Sequence, residues 1–202
     1  MHHEARKPYF CRIGRVCCTS TLIYPSLINI FAYGRSSGLG LATVRDLIAH
    51  NAHVAVLDLV PPPPGDFPDD RVRFFKTDIA KTEDVASAVK GCVAWSQETG
   101  AVLGGVVNAA GIGTIGKVRR TSMQGYVSDM AQVIDASGEP LSLDLYRYTL
   151  EVNVVGTFDL TRLVCQHLVR VPPEGEDGER GVVVMVSSAA AVSQRMMSVM
   201  AH

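Results

Sequence analysis

The sequence predicts an α/β fold built on a doubly wound parallel sheet. Short apolar runs alternate with helical patterns along the chain. The apolar runs contain few polar positions, which is typical of parallel strands covered on both faces. A glycine-rich turn joins the first run to the first helical pattern. We expect about five strands with flanking helices, in a sheet that is incomplete on its C-terminal side.

The first strand, helix and second strand form a unit of about thirty residues. Leu27–Tyr33 is apolar and predicts the first strand. After the glycine turn of residues 34–40, apolar residues recur at helical spacing up to residue 51. His53–Asp58 then predicts a buried strand with a carboxylate at its C-terminal end.

The rest of the chain continues this alternation. The four prolines of residues 61–64 predict a surface loop that continues to residue 70, and we interpret it as a stiff spacer. A long loop beside a binding cleft is expected where periodicity is weak, over residues 113–140. Further strands are predicted at 71–76, 102–108 and 182–187, and helices at 82–97 and 143–170.

The bulk composition indicates one globular domain with a single core. The chain has 202 residues, of which 47% are hydrophobic, and a formal net charge of -1. This charge gives no electrostatic basis for binding nucleic acid or an anionic membrane, so we expect neither partner. Five cysteines without a CxxC pair indicate a reducing compartment and predict no metal site.

The N-terminal segment is set apart as an extension of unknown role, residues 1–26, before a domain at residues 27–202. Basic residues precede an apolar run at residues 21–33, in the order found in presequences. That run is shorter than the ~20 residues a membrane span needs. Cytoplasmic and mitochondrial locations both remain open.

The glycine turn is suited to binding a dinucleotide. Gly34, Gly38 and Gly40 permit a tight turn that approaches a pyrophosphate closely, and the N-terminus of the following helix opposes phosphate charge. Ser36 and Ser37 add hydroxyl donors. The intervening Leu39 is expected to contact the cofactor through the same loop.

Asp58 indicates which dinucleotide is bound. It ends the second strand eighteen residues after Gly40, where a carboxylate can accept hydrogen bonds from both adenosine ribose hydroxyls. The following Leu59 and Val60 provide no arginine for a 2′-phosphate, which the carboxylate would also repel. We therefore expect NAD rather than NADP, with Leu59 beside it; the alternative is a solvated loop aspartate.

The order of motifs resembles that of the short-chain dehydrogenase/reductase family, whose fold is Rossmann-type. Beyond the glycine turn and Asp58, the resemblance rests on polar motifs that follow successive elements. The resemblance covers residues 27–195. The motifs are Asp78 and Ile79 after the third strand, Asn108, Ala109, Ala110 and Gly111 after the fourth, Asn153 in a helix, and Ser187 and Ser188 after the fifth.

The resemblance implies roles for these residues. Asp78 would bond the adenine amino group and Ile79 would contribute a backbone group. The four residues 108–111 would border the adenosine ribose. Ser188 would polarise the substrate carbonyl, and Asn153 would position a water that relays protons. As structural alternatives, Ser188 caps a turn and Asn153 bridges backbone groups.

Within the family, three segments are most similar to the type 2 3-hydroxyacyl-CoA dehydrogenases: residues 38–43, 152–158 and 178–182. These enzymes oxidise a secondary alcohol by hydride transfer to NAD. The resemblance therefore implies a small-molecule substrate, an acyl-CoA or another secondary alcohol or ketone. The chain is expected to form a homo-oligomer or to pair with a full-length relative.

One family feature is absent from the sequence. The family's proton donor is the tyrosine of a Tyr-x-x-x-Lys motif beyond the serine, and no tyrosine here is followed four residues later by lysine. Loss of general acid-base catalysis typically costs about 10²- to 10⁴-fold in rate. Three hypotheses follow: a truncated, inactive dehydrogenase, an NAD-binding pseudoenzyme, and a non-functional fragment from a faulty gene model.

Overall fold

The predicted α/β fold with a parallel sheet is confirmed by the structure, a computed structural model. It describes residues 27–33, 38–112 and 138–187, and for the first of these ranges only the backbone. Five strands pair in parallel in the order β3-β2-β1-β4-β5. They are β1 Leu27–Tyr33, β2 His53–Asp58, β3 Val72–Lys76, β4 Val102–Ala109 and β5 Val182–Met185.

Helices cover both faces of the sheet, as a doubly wound fold requires. Helix α1, Gly38–Ala49, packs on one face against Val54 and Val56. On the opposite face, α2 (Thr82–Thr99) and α4 (Thr157–Leu168) share a core with Ala55 and Leu57. The four consecutive β2 residues alternate between these two cores, because neighbouring strand residues point to opposite faces. The sheet therefore divides the interior into two cores, and the single core that the composition indicated is not observed.

The predicted single helix over residues 143–170 is divided into three parts. Helix α3, Leu143–Leu150, passes into a π-helical turn at Glu151–Gly156, which leads directly into α4. The helical segment ends at Leu168, two residues before the predicted end. Single π-helical turns inside α-helices often occur at functional sites, and this one contains Asn153.

Strands β4 and β5 approach each other through glycines. Ile28 of β1 pairs with Leu103 of β4, and the next residue, Asn29, pairs with Gly105. The intervening β4 residue is skipped in this register, as in a β-bulge. A Cβ atom on Gly105, whose φ is +153°, would lie 2.1 Å from the carbonyl oxygen of Val182. Any side chain at this position would push β5 away from the sheet.

Strand β5 is the shortest of the five strands, and its side chains are more exposed than those of β2, β3 and β4. It ends at Met185 rather than at the predicted residue 187. Helix α4 packs on β4 and α2, and leaves Val182 56% and Met185 58% exposed. This exposed edge agrees with the expectation of a sheet that is incomplete on its C-terminal side.

None of the helices within residues 38–112 and 138–187 combines the length and hydrophobicity that a bilayer crossing requires.

Candidate functional site

The carboxyl end of β2 holds the first predicted cofactor residue. Asp58 is only 4% exposed, so it is not the solvated loop aspartate that was the alternative. Its Oδ1 accepts a hydrogen bond from the Val60 backbone N–H at 3.2 Å, and its carbonyl oxygen accepts one from the Thr77 N–H at 2.8 Å. These bonds fix the carboxylate where β2 and β3 end. Leu59, beside it, is exposed.

The turn after β3 places Asp78 and Ile79 at the same edge of the sheet. Asp78 Oδ1 accepts a hydrogen bond from the Ala80 N–H at 3.1 Å, and Lys81 Nζ lies 3.6 Å from Oδ2. The Asp78 N–H donates to Asp84 Oδ2 at 3.2 Å. Asp78 therefore stabilises its own turn, a structural role that the sequence argument missed. Its role toward adenine stays a prediction.

Asn108 connects the carboxyl end of β4 to neighbouring elements through hydrogen bonds. This residue is buried, and its side-chain Nδ2 donates to Thr161 Oγ1 at 3.1 Å and to the Val184 carbonyl oxygen at 3.3 Å. Its backbone carbonyl accepts a hydrogen bond from the Val186 N–H at 3.0 Å. The Asn108 side chain thus joins β4 to α4 and β5.

Within residues 38–112 and 138–187, Asn108 Oδ1 is buried without a hydrogen-bond partner. A buried acceptor left unpaired costs free energy. Ala109 follows and packs against the core between α1 and the sheet. Ala110 packs against the core that α2 and α4 form on the opposite face. Whether these residues border a ribose stays a prediction.

Asn153 in the π turn clamps the loop after β4. Its Nδ2 donates to the Ile112 carbonyl oxygen at 2.7 Å, and its Oδ1 accepts from the Ile112 N–H at 2.8 Å. A Cβ on Gly111 would lie 3.4 Å from the same Oδ1. Asn153 therefore bridges two backbone groups, which was the structural alternative to its role in the reaction. Its role in positioning a water stays a prediction.

Gly156 makes a second close contact between the π turn and the site. A Cβ on Gly156 would lie 2.5 Å from the carbonyl oxygen of Ile79 and 2.8 Å from its Cγ1. Only glycine allows this approach, which was not predicted from the sequence. The signal that could have found it is the spacing, since Gly156 follows Asn153 by three positions and residues three apart on a helix lie close together.

The glycine turn is described from Gly38 onward. Gly38 has φ +74°, a left-handed conformation that favours glycine, and it begins α1. Leu39 is exposed and Gly40 is buried. The predicted residues Gly34, Ser36, Ser37 and Ser188 lie outside the described residues, as do residues 1–26.

The structure thus brings four predicted segments to one edge of the sheet. Asp58, the Asp78 turn and the loop after β4 follow neighbouring parallel strands, and the π turn contacts two of them. In open α/β sheets, ligands bind at this carboxyl edge. In the two long described ranges, no cluster of three or more His, Cys, Asp or Glu side chains is arranged to hold a metal ion.

Comparison with known families gives a match over most of the chain. The model of the family described as short chain dehydrogenase matches residues 29–200. The human 3-hydroxyacyl-CoA dehydrogenase type-2 is 28% identical over 162 residues, which are 78% of this chain and 54% of the human protein. The chain therefore spans about half the length of the curated relatives it matches.

Solved structures share the fold. A 3-hydroxyacyl-CoA dehydrogenase type-2 from Mycobacterium avium aligns with a TM-score of 0.64 at 24% identity, over 86% of this chain and 61% of that one. A short chain dehydrogenase from Leptospira borgpetersenii with bound NAD+ aligns with a TM-score of 0.59 at 16% identity, over 97% and 62% of the two chains.

Proposed function

Because this chain belongs to the short-chain dehydrogenase family, we propose that it binds NAD at the carboxyl edge of its sheet. The observation that carries the proposal is Asp58, a buried carboxylate at the end of β2 whose position is fixed by two neighbouring backbone bonds. A carboxylate held in this way can accept hydrogen bonds from both hydroxyls of a ribose.

The same carboxylate supports NAD rather than NADP. A 2′-phosphate would bring negative charge to a buried carboxylate, and like charges at close range repel. The residues next to Asp58 are the exposed Leu59 and Val60, which offer apolar surface but no cation. The short chain dehydrogenase from Leptospira borgpetersenii, which shares this fold and has bound NAD+, supports a nicotinamide cofactor at this site.

The remaining predicted contacts extend along the same edge. We assign the adenine to the Asp78–Ile79 turn and the adenosine ribose to the segment from Asn108 to Gly111. The clamp of Asn153 on Ile112 supports this assignment, because it holds the loop after β4 in one conformation before the cofactor binds. The pyrophosphate would lie at the glycine turn of residues 34–40.

For the reaction, we propose hydride transfer between NAD and a secondary alcohol such as a 3-hydroxyacyl-CoA. The names of the human and mycobacterial relatives support this substrate class. Bound NAD would supply the hydride acceptor. Ser188 would donate a hydrogen bond to the substrate oxygen, and Asn153 would hold the water that relays the proton.

For this chain itself we propose cofactor binding without substantial turnover. The sequence contains no tyrosine followed four residues later by lysine, so no general base of the family type is present in it. Without that base, the bound alcohol loses its proton more slowly as the hydride leaves, and the loss of general acid-base catalysis typically lowers the rate about 10²- to 10⁴-fold.

Association with another subunit is the partner proposal that the helices support. Four apolar side chains spaced along one helical face from α3 to α4 are exposed: Leu143, Leu150, Val154 and Phe158. Apolar side chains at helical spacing are typical of surfaces that pair with another helix. We propose that this face joins a second copy or a full-length relative.

One experiment separates binding from turnover. NAD binding is measured by calorimetry and NADH formation by absorbance, with 3-hydroxyacyl-CoA thioesters as the substrates and NADP as the competitor. We expect NAD to bind, NADP to bind at least about tenfold more weakly, and NADH formation to stay at background. Turnover at ordinary dehydrogenase rates would contradict the inactive state, and preference for NADP would contradict the role of Asp58.

A further inference from the structure

The proline segment of residues 61–64 is not used by the proposed function. It follows the exposed Leu59 and Val60 at the end of β2. Each of Pro61, Pro62 and Pro63 precedes another proline. The ring of a following proline sterically restricts the residue before it to the extended or polyproline II region. In the structure, these three residues belong to no helix, strand or turn.

The C-terminal end of the segment is fixed by a turn. The Asp66 N–H donates to the Pro63 carbonyl oxygen at 3.4 Å, and Gly65 has φ +78°. Proline followed by a left-handed glycine at the two central positions defines a type II turn. The proline segment therefore ends in a defined chain reversal at Pro64 and Gly65.

The chain beyond the turn is anchored to the body of the domain. Asp66 Oδ2 pairs with Arg45 Nη2 of α1 at 2.7 Å, and the Phe67 ring packs against the α1 core. At the other end, the Asp58 carboxylate is buried and bonded to the Val60 N–H. The segment is thus held at both ends, so little conformational entropy would be lost when a partner binds it.

The exposure of the four prolines follows a polyproline II repeat. That helix has three residues per turn, so Pro61 and Pro64 lie on one edge. These two are the exposed prolines, whereas Pro62 and Pro63 are half-buried. The outward edge therefore presents prolines at positions i and i+3, the PxxP spacing that aromatic-lined grooves recognise.

The flanking charges indicate the polarity of the groove. Asp69 and Asp70 are exposed and follow the segment, whereas the guanidinium of Arg71 is turned back to the Asn51 carbonyl oxygen at 2.8 Å. We propose that residues 61–64 are a docking ligand for a partner domain whose polyproline-binding groove is lined by aromatic side chains and edged by basic residues. The proposal does not depend on cofactor binding.

The test titrates the purified full chain into a panel of SH3, WW and EVH1 domains that includes grooves with basic and with acidic rims. We expect saturable binding to basic-rimmed domains and none to acidic-rimmed ones. The double variant Pro61→Ala/Pro64→Ala should bind about tenfold more weakly, since it loses both anchors. The matched control, Pro172→Ala/Pro173→Ala, changes two prolines in another loop and should bind as the wild type does.

A second variant keeps the test decisive if the proline changes disturb folding. Asp69→Lys/Asp70→Lys leaves the prolines intact and should weaken binding to basic-rimmed grooves. The proposal is overturned if no basic-rimmed domain binds at about 1 mM. It is equally overturned if the folded proline or aspartate variant binds as tightly as the wild type.

Discussion

Asn153 and Ile112 lie 41 residues apart in sequence and are joined by two hydrogen bonds. The side-chain amide of Asn153 donates to the Ile112 carbonyl oxygen and accepts from the Ile112 N–H. The pair joins the π turn to the loop after β4. Three residues farther along, Gly156 rests on the Ile79 carbonyl. One helical turn therefore holds two of the loops to which we assign the cofactor.

The Asn153 clamp is tested by Asn153→Ala. Removing both hydrogen bonds should destabilise the fold by about 1–2 kcal/mol and raise hydrogen exchange at the Ile112 amide. Exchange is followed by NMR and stability by urea unfolding, with Gln166→Ala on the exposed side of α4 as the control. Unchanged protection of Ile112 would show that the clamp does not hold this loop.

Gly156→Ala tests the close approach to Ile79. The new methyl would meet a backbone oxygen at 2.5 Å, and overpacking of this kind typically costs about 1–3 kcal/mol. The control is Gly91→Ala in α2, whose methyl would meet the Phe75 ring at 2.6 Å. A side chain moves more cheaply than backbone, so thermal unfolding should show the larger loss for Gly156. Equal losses would contradict the account.

His53 should make stability depend on pH. Burial lowers the pKa of His53 below its ordinary value of 6.5, with the Arg71 charge acting in the same direction and the Asp70 charge opposing both. Below about pH 6.5 the unfolded chain takes up a proton that the folded chain resists, so this contribution to stability falls as pH decreases.

The measurement compares urea unfolding of the wild type and His53→Phe at pH 5.5 and pH 7.5. Phenylalanine keeps a ring against Trp95, which His53 meets edge-on at 5.9 Å between centroids. The variant should lose less stability than the wild type on acidification. An equal loss in both proteins would assign the pH dependence to other groups.

The exposed strand β5 should promote self-association. An apolar edge strand presents unpaired backbone groups to other chains, and lysine on such an edge opposes pairing. Val184→Lys should therefore raise the concentration at which light scattering begins, relative to the wild type. Val169→Lys, with the same charge change on an exposed valine just after α4, should have a smaller effect. Equal effects would indicate that net charge alone acts.

The sequence predicted the strands and helices of the described residues because their apolar patterns are regular. It did not predict the π turn, since one extra residue within Glu151–Gly156 does not visibly alter a helical pattern. The β4 bulge was missed for the same reason, because a single skipped residue opposite β1 leaves the apolar run intact.

The site could be predicted only in part. Asp58 was recognised from its position at a strand end, and the structure buries it there. The bonds of Asn108 to Thr161 and to Val184 were not predicted, because they join residues 53 and 76 positions away that no local spacing relates. Long-range hydrogen bonds of this kind depend on how the elements pack.

The most direct test of the account is calorimetric titration of NAD into the purified chain and into Asp58→Ala. The control is Asp69→Ala, which removes the same charge from an exposed loop position. We predict that NAD binds to the wild type and the control alike, and at least about tenfold more weakly to Asp58→Ala. Absence of binding to the folded wild type, or equal binding by all three, would contradict a cofactor site at the carboxyl edge of β2.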